Sequence, residues 1–279
     1  MQKRFEMCKV KIELSAQAPL DFTGDAAIFE KDFEMPDLHI LCKSTDIPVP
    51  EGQLLGEGNE RKAYFNNGIL TRYLFTNEEP YAAIEYDPLN LKQATLLVRE
   101  KDWPWATDSL RFWITACLPV LLLYFRTLVF HASYVKYKGN GILFTAPSGT
   151  GKSTQAALWK EHRGANILNG DKAAVSLQET VLAHGIPFSG TSGICKDESV
   201  PLKAIVVLSQ AEKNTAYRMS PIEAVAALCP NIFADKVVPN EWTKMLNLLV
   251  DLVSNIPVYS LACTPDKRAV EALEQCMEI

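Results

Sequence analysis

The chain has 279 residues, a formal net charge of −5, 48% hydrophobic and 22% charged residues. That length suits one large domain or two ordinary ones with a substantial core. The acidic balance and the lack of a long Lys/Arg cluster give no support to binding of nucleic acid or an anionic membrane surface. Seven cysteines, at 8, 42, 117, 195, 229, 263 and 276, never form C-x-x-C. This spacing argues against a zinc site or a disulfide framework and reads as small apolar core filling. The start, MQKRFEMCKVKIEL, lacks the uninterrupted apolar run of a signal peptide, so a cytoplasmic protein with reduced thiols is expected.

Residues 1–104 read as a small β-rich domain. Cys8, Val10, Ile12 and Leu14 alternate along 5–14 and suit one face of a single strand. Further strands are expected at 39–42, 62–65, 69–75 and 82–86, with turn signals at Asn66-Asn67-Gly68 and Asp87-Pro88. No chemistry is assignable here, and the domain reads as a packing partner or a substrate platform. The apolar run 112–125, FWITACLPVLLLYF, lies between Arg111 and Arg126 and contains Pro119. A membrane-spanning helix needs about 20 apolar residues, so a buried helix is expected, capped by Thr107 or Asp108 and kinked or split by the proline.

Residues 127–137 read as a strand, Asn140-Gly141 as a tight turn, and 142–145 as the returning strand. Ala146-Pro147-Ser148-Gly149-Thr150-Gly151-Lys152-Ser153 follows. Apart from Ala146 at the first glycine position, this is the phosphate-binding pattern G-x-x-x-x-G-K-[ST]. Glycines let backbone N–H groups curl around a polyphosphate, and the following helix aims its positive end at the same anion. Ser148, Gly149, Thr150, Gly151, Lys152, Ser153 and Thr154 are the expected phosphate-binding residues, with the Lys152 ammonium on the β- and γ-phosphates and the Ser153 hydroxyl on Mg²⁺. Pro147 has no N–H to contribute.

After a helix over 152–162, ended by Arg163-Gly164, a short strand at 166–168 delivers Asn169-Gly170-Asp171-Lys172 near the loop. A carboxylate at that place suits a Mg²⁺ ligand; the alternative is that Asp171 merely sits in a turn. Strands are expected at 173–177 and 180–183, paired. The stretch 187–199, rich in glycine and small hydroxyl residues, reads equally as a ligand loop or a flexible connection. A buried strand at 202–208, a capping box at Ser220–Glu223 opening a helix over 221–229, a helix over 241–254, a strand at 258–263 and a closing helix capped by Asp266 complete the chain.

The segment FHASYVKYKGNGILFTAPSGTGKST resembles the catalytic domain of HPr kinase/phosphorylase, a superfamily shared with the phosphoenolpyruvate carboxykinases, whose loop has the same SGTGK[ST] form. The stretches PLKAIVVLSQAEKN and IPVYSLACTPDKRAVEAL resemble later parts of that family, so the likeness covers about residues 106–279. It implies an α/β (α+β) mixed-sheet P-loop kinase domain over 105–279. It also implies ATP and Mg²⁺ as cofactors, with Ser153 and Asp171 on the metal. Asp171, His131 and Lys152 become the catalytic residues, His131 standing at the family's active-site histidine; its rival reading is a buried strand histidine. The implied acceptor is a serine of a small protein or peptide, HPr-like or a precursor peptide, and relatives that assemble imply a homo-oligomer. Where the family has an adjacent acidic pair, this chain has one acid, and the arginine-containing segment for dephosphorylation has no counterpart. Kinase activity therefore follows better than phosphorolysis. An ATP-binding regulator or scaffold is the alternative, and a carboxykinase-like enzyme a weaker one.

Overall fold

The computed structural model describes residues 1–58 and 60–278; Ile279, which closes the expected second domain, lies outside them. The chain forms two compact units, Met1–Phe125 with Ala234–Lys244, and Arg126–Phe233 with the chain from Met245 onward. Each is built on a mixed sheet, as expected of a mixed α/β fold.

In the first unit, eight strands lie in the order β1-β2-β3-β8-β7-β6-β5-β4. They are β1 (Gln2–Met7), β2 (Val10–Ala16), β3 (Leu38–Ser44), β4 (Gln53–Gly58), β5 (Arg61–Asn66), β6 (Ile69–Thr76), β7 (Glu79–Tyr86) and β8 (Gln93–Val98). The strand expected over 5–14 is a hairpin instead. Cys8 and Lys9 turn the chain with φ of 55° and 65°, two left-handed residues of the kind a two-residue hairpin loop needs. Neither is a glycine or asparagine, so the sequence hides the turn. Short helices follow: α1 (Trp103–Ala106), α2 (Ser109–Thr115) and α3 (Leu118–Leu123). The apolar run is indeed split, with Cys117 at φ 53° and Pro119 in the first turn of α3, where a missing N–H does no harm.

The boundary between the units falls after Phe125 and not after residue 104. Fully buried Phe112 and Trp113 of α2 pack edge-on with Phe5 and Phe22, Phe5 to Trp113 at 5.1 Å and Phe22 to Phe112 at 5.2 Å. These contacts tie the apolar helices to the N-terminal sheet.

The returning segment 234–244 is held by charge. Arg72 of β6 is 0% exposed, and its guanidinium donates to Asp235 Oδ2 at 3.0 Å and to Glu241 Oε2 at 2.6 Å. Tyr86 and Tyr124 donate to the other Glu241 oxygen at 2.6 and 2.7 Å. Burial opposes the Arg72 charge, but Tyr86, Glu241 and Asp235 outweigh it and hold it protonated. Removing one partner of such a pair strands an uncompensated buried charge, so Arg72→Met is expected to cost about 3–5 kcal/mol. A lowered midpoint in urea unfolding checks this.

The second unit comprises β9 (Thr127–Tyr137), β10 (Asn140–Thr145), α4 (Lys152–Arg163), β11 (Asn166–Asn169), β12 (Lys172–Leu177), β13 (Val181–Gly185), β14 (Ser199–Gln210), β15 (Thr215–Arg218) and α5 (Pro221–Leu228). Of α6 (Pro239–Asn255), the part from Met245 belongs here, followed by β16 (Val258–Cys263) and α7 (Lys267–Met277). The sheet runs β10-β9-β12-β13-β14-β16-β15, and β10 also pairs with β14, so the ladder from β9 through β12, β13, β14 and β10 returns to β9. The β9–β10 turn is Lys138-Gly139, with φ of 47° and 80°, and not Asn140-Gly141. Gly141 lies in the strand for a packing reason: a Cβ there would come within 2.9 Å of the Tyr134 ring.

Candidate active site

Strand β9 organises the site. On one side its residues 132–137 pair with β10, which ends at Thr145 and releases the chain into the Ala146–Gly151 loop. On the other side β11 and then β12 follow the same edge, Asn169 opposite Tyr134 and Lys172 opposite His131. Gly170 and Asp171 bridge the gap between those two strands. His131 therefore stands where the loop departs on one flank and Asp171 protrudes on the other.

The gap is held tightly. Buried Asn169 accepts from the backbone N–H groups of Asp171 and Lys172 through Oδ1, at 3.0 and 3.1 Å, and donates to the Ile186 carbonyl. The Ala132 N–H donates to the Asp171 carbonyl at 3.0 Å. A Cβ on Gly170 would lie 1.9 Å from Ser192 Oγ, and one on Gly190 would lie 2.5 Å from the Asp171 Cβ. The stretch 187–199 thus packs against the acid's own loop.

The residues expected to bind phosphate form a loop that opens into the helix α4. Gly149 and Gly151 have φ of 80° and 116°, the left-handed region where an L side chain is strained. Ser148 and Gly149 are exposed, Thr150 and Gly151 half-buried, and Ser153 and Thr154 exposed on the first turn of α4. Lys152 is 7% exposed, and its ammonium donates to the carbonyls of Ala146 at 2.9 Å and Pro147 at 3.2 Å. Parallel pairing of β10, β14 and β16 brings their C-terminal ends together, the usual ligand side of such strands. There a pocket of about 460 Å³ is lined by Gly149, Thr150, Gly151, Thr154, Gln210 and Thr264, among others.

At the other end of the loop, His131 Nε2 lies 3.2 Å from Asp171 Oδ1 and Lys172 Nζ 2.9 Å from Asp171 Oδ2. Burial pulls the His131 pKa below its ordinary value and the Lys152 charge adds to that, against the opposing Asp171. Burial likewise lowers the Lys152 pKa, with Asp171 acting the other way. The expected catalytic residues His131, Asp171 and Lys152 thus share one electrostatic neighbourhood.

Lys172, Phe188 and Phe233 were not among the expected site residues. The Lys172 ammonium lies 5.0 Å from the Phe188 ring centre and 4.9 Å from that of Phe233, and Phe233 also faces the His131 ring at 6.0 Å. Lys172 follows Asp171 directly in sequence, which is a signal of sorts; Phe233 carries none.

The donors do not fit a Mg²⁺ gripped by the protein. Both Asp171 oxygens already face a partner, and no group of three His, Cys, Asp or Glu able to hold a metal occurs among the described residues. Ser148, Ser153 and Thr154 are the exposed hydroxyl residues at the loop and the first turn of α4.

A family model described as "SynChlorMet cassette protein ScmC" matches residues 110–278. The chain belongs to this family. The family match takes in the loop, His131, Asp171 and Lys172 together. Among solved structures, the Hpr(Ser) kinase/phosphatase from Coxiella burnetii is similar at 11% identity and a TM-score of 0.32, over 54% of this chain and 88% of that one. No curated protein matches. Among the described residues no helix is long and apolar enough to cross a membrane.

The His131 resonance is expected to titrate below its ordinary value of 6.5. Because the folded value lies below the unfolded one, His131 favours folding fully above pH 6.5, and that contribution is lost as pH falls through the folded value. Lys152→Met removes one of the lowering charges, so an NMR titration should show the midpoint move upward.

Proposed function

We propose that this protein binds ATP at the Gly149–Ser153 loop and transfers the γ-phosphoryl group to a hydroxyl, a serine of a peptide or small protein. The observation that carries this reading is the meeting of the phosphate loop, His131 and Asp171 around one point on β9. Backbone N–H groups of the loop and the start of α4 face the polyphosphate, and the nucleoside end has the 460 Å³ pocket beside Gly149–Gly151. Lys152, freed from the Ala146 and Pro147 carbonyls, neutralises charge on the transferred group. The neutral His131 ring donates through Nε2–H to Asp171, which leaves Nδ1 as its basic atom. His131 or Asp171 takes the acceptor proton.

The family's description as a cassette protein directs the search for an acceptor to the other products of such a cassette. A cytoplasmic setting and a homo-oligomer complete the reading. The second reading, an ATP-binding regulator without transfer, draws on the engagement of both Asp171 oxygens.

Incubation with γ-labelled ATP and serine-bearing cassette products separates the two: label on an acceptor serine supports the kinase, and tight ATP binding with no transfer supports the regulator. Asp171→Asn should leave ATP binding in place while lowering transfer by about 10²–10⁴-fold, the usual range for general acid–base help. Lys152→Ala should weaken ATP binding at least about tenfold, the size of a lost charge-assisted hydrogen bond. Isothermal calorimetry reads it, and unchanged affinity would remove the loop from the site.

A further inference from the structure

The disagreement between the expected metal site and the donors present points to a different source of positive charge. Lys172 stands beside Asp171, where an acid of a metal-binding pair would be useful. Its ammonium is 2.9 Å from Asp171 Oδ2, and it lies within about 5 Å of two aromatic ring centres. Ring faces attract a cation, and two of them confine it. The side chain is 22% exposed, so it is shielded on most sides but still reaches the site surface. Backbone pairing with His131 fixes the start of β12, and the Asn169 side chain fixes the Lys172 N–H. Lys172 is therefore a positioned charge and not a solvated surface lysine.

The loop and the Asp171 turn together hold two ammonium groups, Lys152 and Lys172, and one carboxylate, Asp171. Mg²⁺ at a nucleotide site is held by one or two carboxylates together with the phosphates themselves, and the one carboxylate here already pairs with Lys172. This group of three is net positive, and that balance suits an anion.

We propose that Lys172 is a resident countercation of the phosphate site: it occupies the Asp171 carboxylate in place of a metal and lends its positive charge to the bound polyphosphate. The proposal rests on the nucleotide reading above and adds to it a weak dependence of nucleotide binding on divalent metal. Lys172 also positions Asp171 for its contact with His131.

The test compares ATP binding to the full chain in excess EDTA and in Mg²⁺, by isothermal calorimetry, for wild type, Lys172→Gln and Lys172→Arg. Wild type should bind in both conditions with similar affinity. Lys172→Gln should lose about tenfold in EDTA, the size of one charge-assisted contact, and recover with Mg²⁺, because its Asp171 is released. Lys172→Arg keeps the charge and should follow wild type. A readout independent of turnover is Mn²⁺ bound in the ATP complex, followed by electron paramagnetic resonance: Lys172→Gln should hold the ion more tightly than wild type. Wild-type binding that requires Mg²⁺, with the same requirement in Lys172→Gln, overturns the proposal and leaves the nucleotide reading intact. No ATP binding in either condition overturns both. Should Lys172→Gln fail to fold, as judged by circular dichroism, the wild-type comparison of EDTA with Mg²⁺ still decides.

Discussion

The Asp171 carboxylate is the point on which the rest of the candidate site depends. One oxygen faces the His131 imidazole and the other the Lys172 ammonium, and its backbone is fixed by two hydrogen bonds, its N–H donating to Asn169 Oδ1 and its carbonyl accepting from the Ala132 N–H. The cause is topological. A strand edge served by two successive strands leaves an interruption, and the residue in that interruption is pushed out of the ladder. Buried Asn169 satisfies the N–H groups that the break leaves unpaired, which is what allows such a gap to sit inside a sheet.

The same strand explains why the loop and the acid meet. β9 pairs with β10 on one flank and with β11 and β12 on the other. Anything released at the end of β10 and anything protruding between β11 and β12 must emerge near His131. The Thr145 hydroxyl donates to the His131 carbonyl at 2.9 Å, locking the loop's starting point to the histidine's own backbone. Behind the loop, fully buried Trp159 of α4 packs against Phe144 and Tyr137, so the helix that the loop opens is anchored by its apolar face.

A second charged cluster, in the first unit, follows different physics. Arg72 is fully buried, and its partners are two carboxylates and a tyrosine. Such a network is costly to assemble and more costly to half-dismantle. It specifies where segment 234–244 lies in that unit. A Cβ on Gly56 would come within 2.4 Å of the Val237 carbonyl oxygen, so close backbone approach reinforces the charge. The lysine at the candidate site is by contrast partly exposed and paired with a single acid, an arrangement that a ligand can exchange.

Much of this was legible in the residues. The glycine-rich turn into α4, the two paired strands before it, the split at Pro119 and the Ser220 capping box are each encoded within a few neighbours, where backbone preference and local hydrogen bonding decide the outcome. Turn positions were less legible, because Cys8-Lys9 and Lys138-Gly139 adopt left-handed conformations without the asparagine that usually announces them. The surroundings of Lys172 were not legible at all. Lys172 beside Asp171 reads as an acid merely missing its partner, until the fold brings the Phe188 and Phe233 rings within about 5 Å of its ammonium. Arg72 and Glu241 likewise come together only through pairing across 169 positions. Local propensity carries no information about which distant groups will share a low-dielectric space. The sequence by itself thus determined the glycine-rich loop and the helix after it, because turn and helix preferences are local; the tertiary structure decided which charges lie near that loop, because those groups arrive on separate strands.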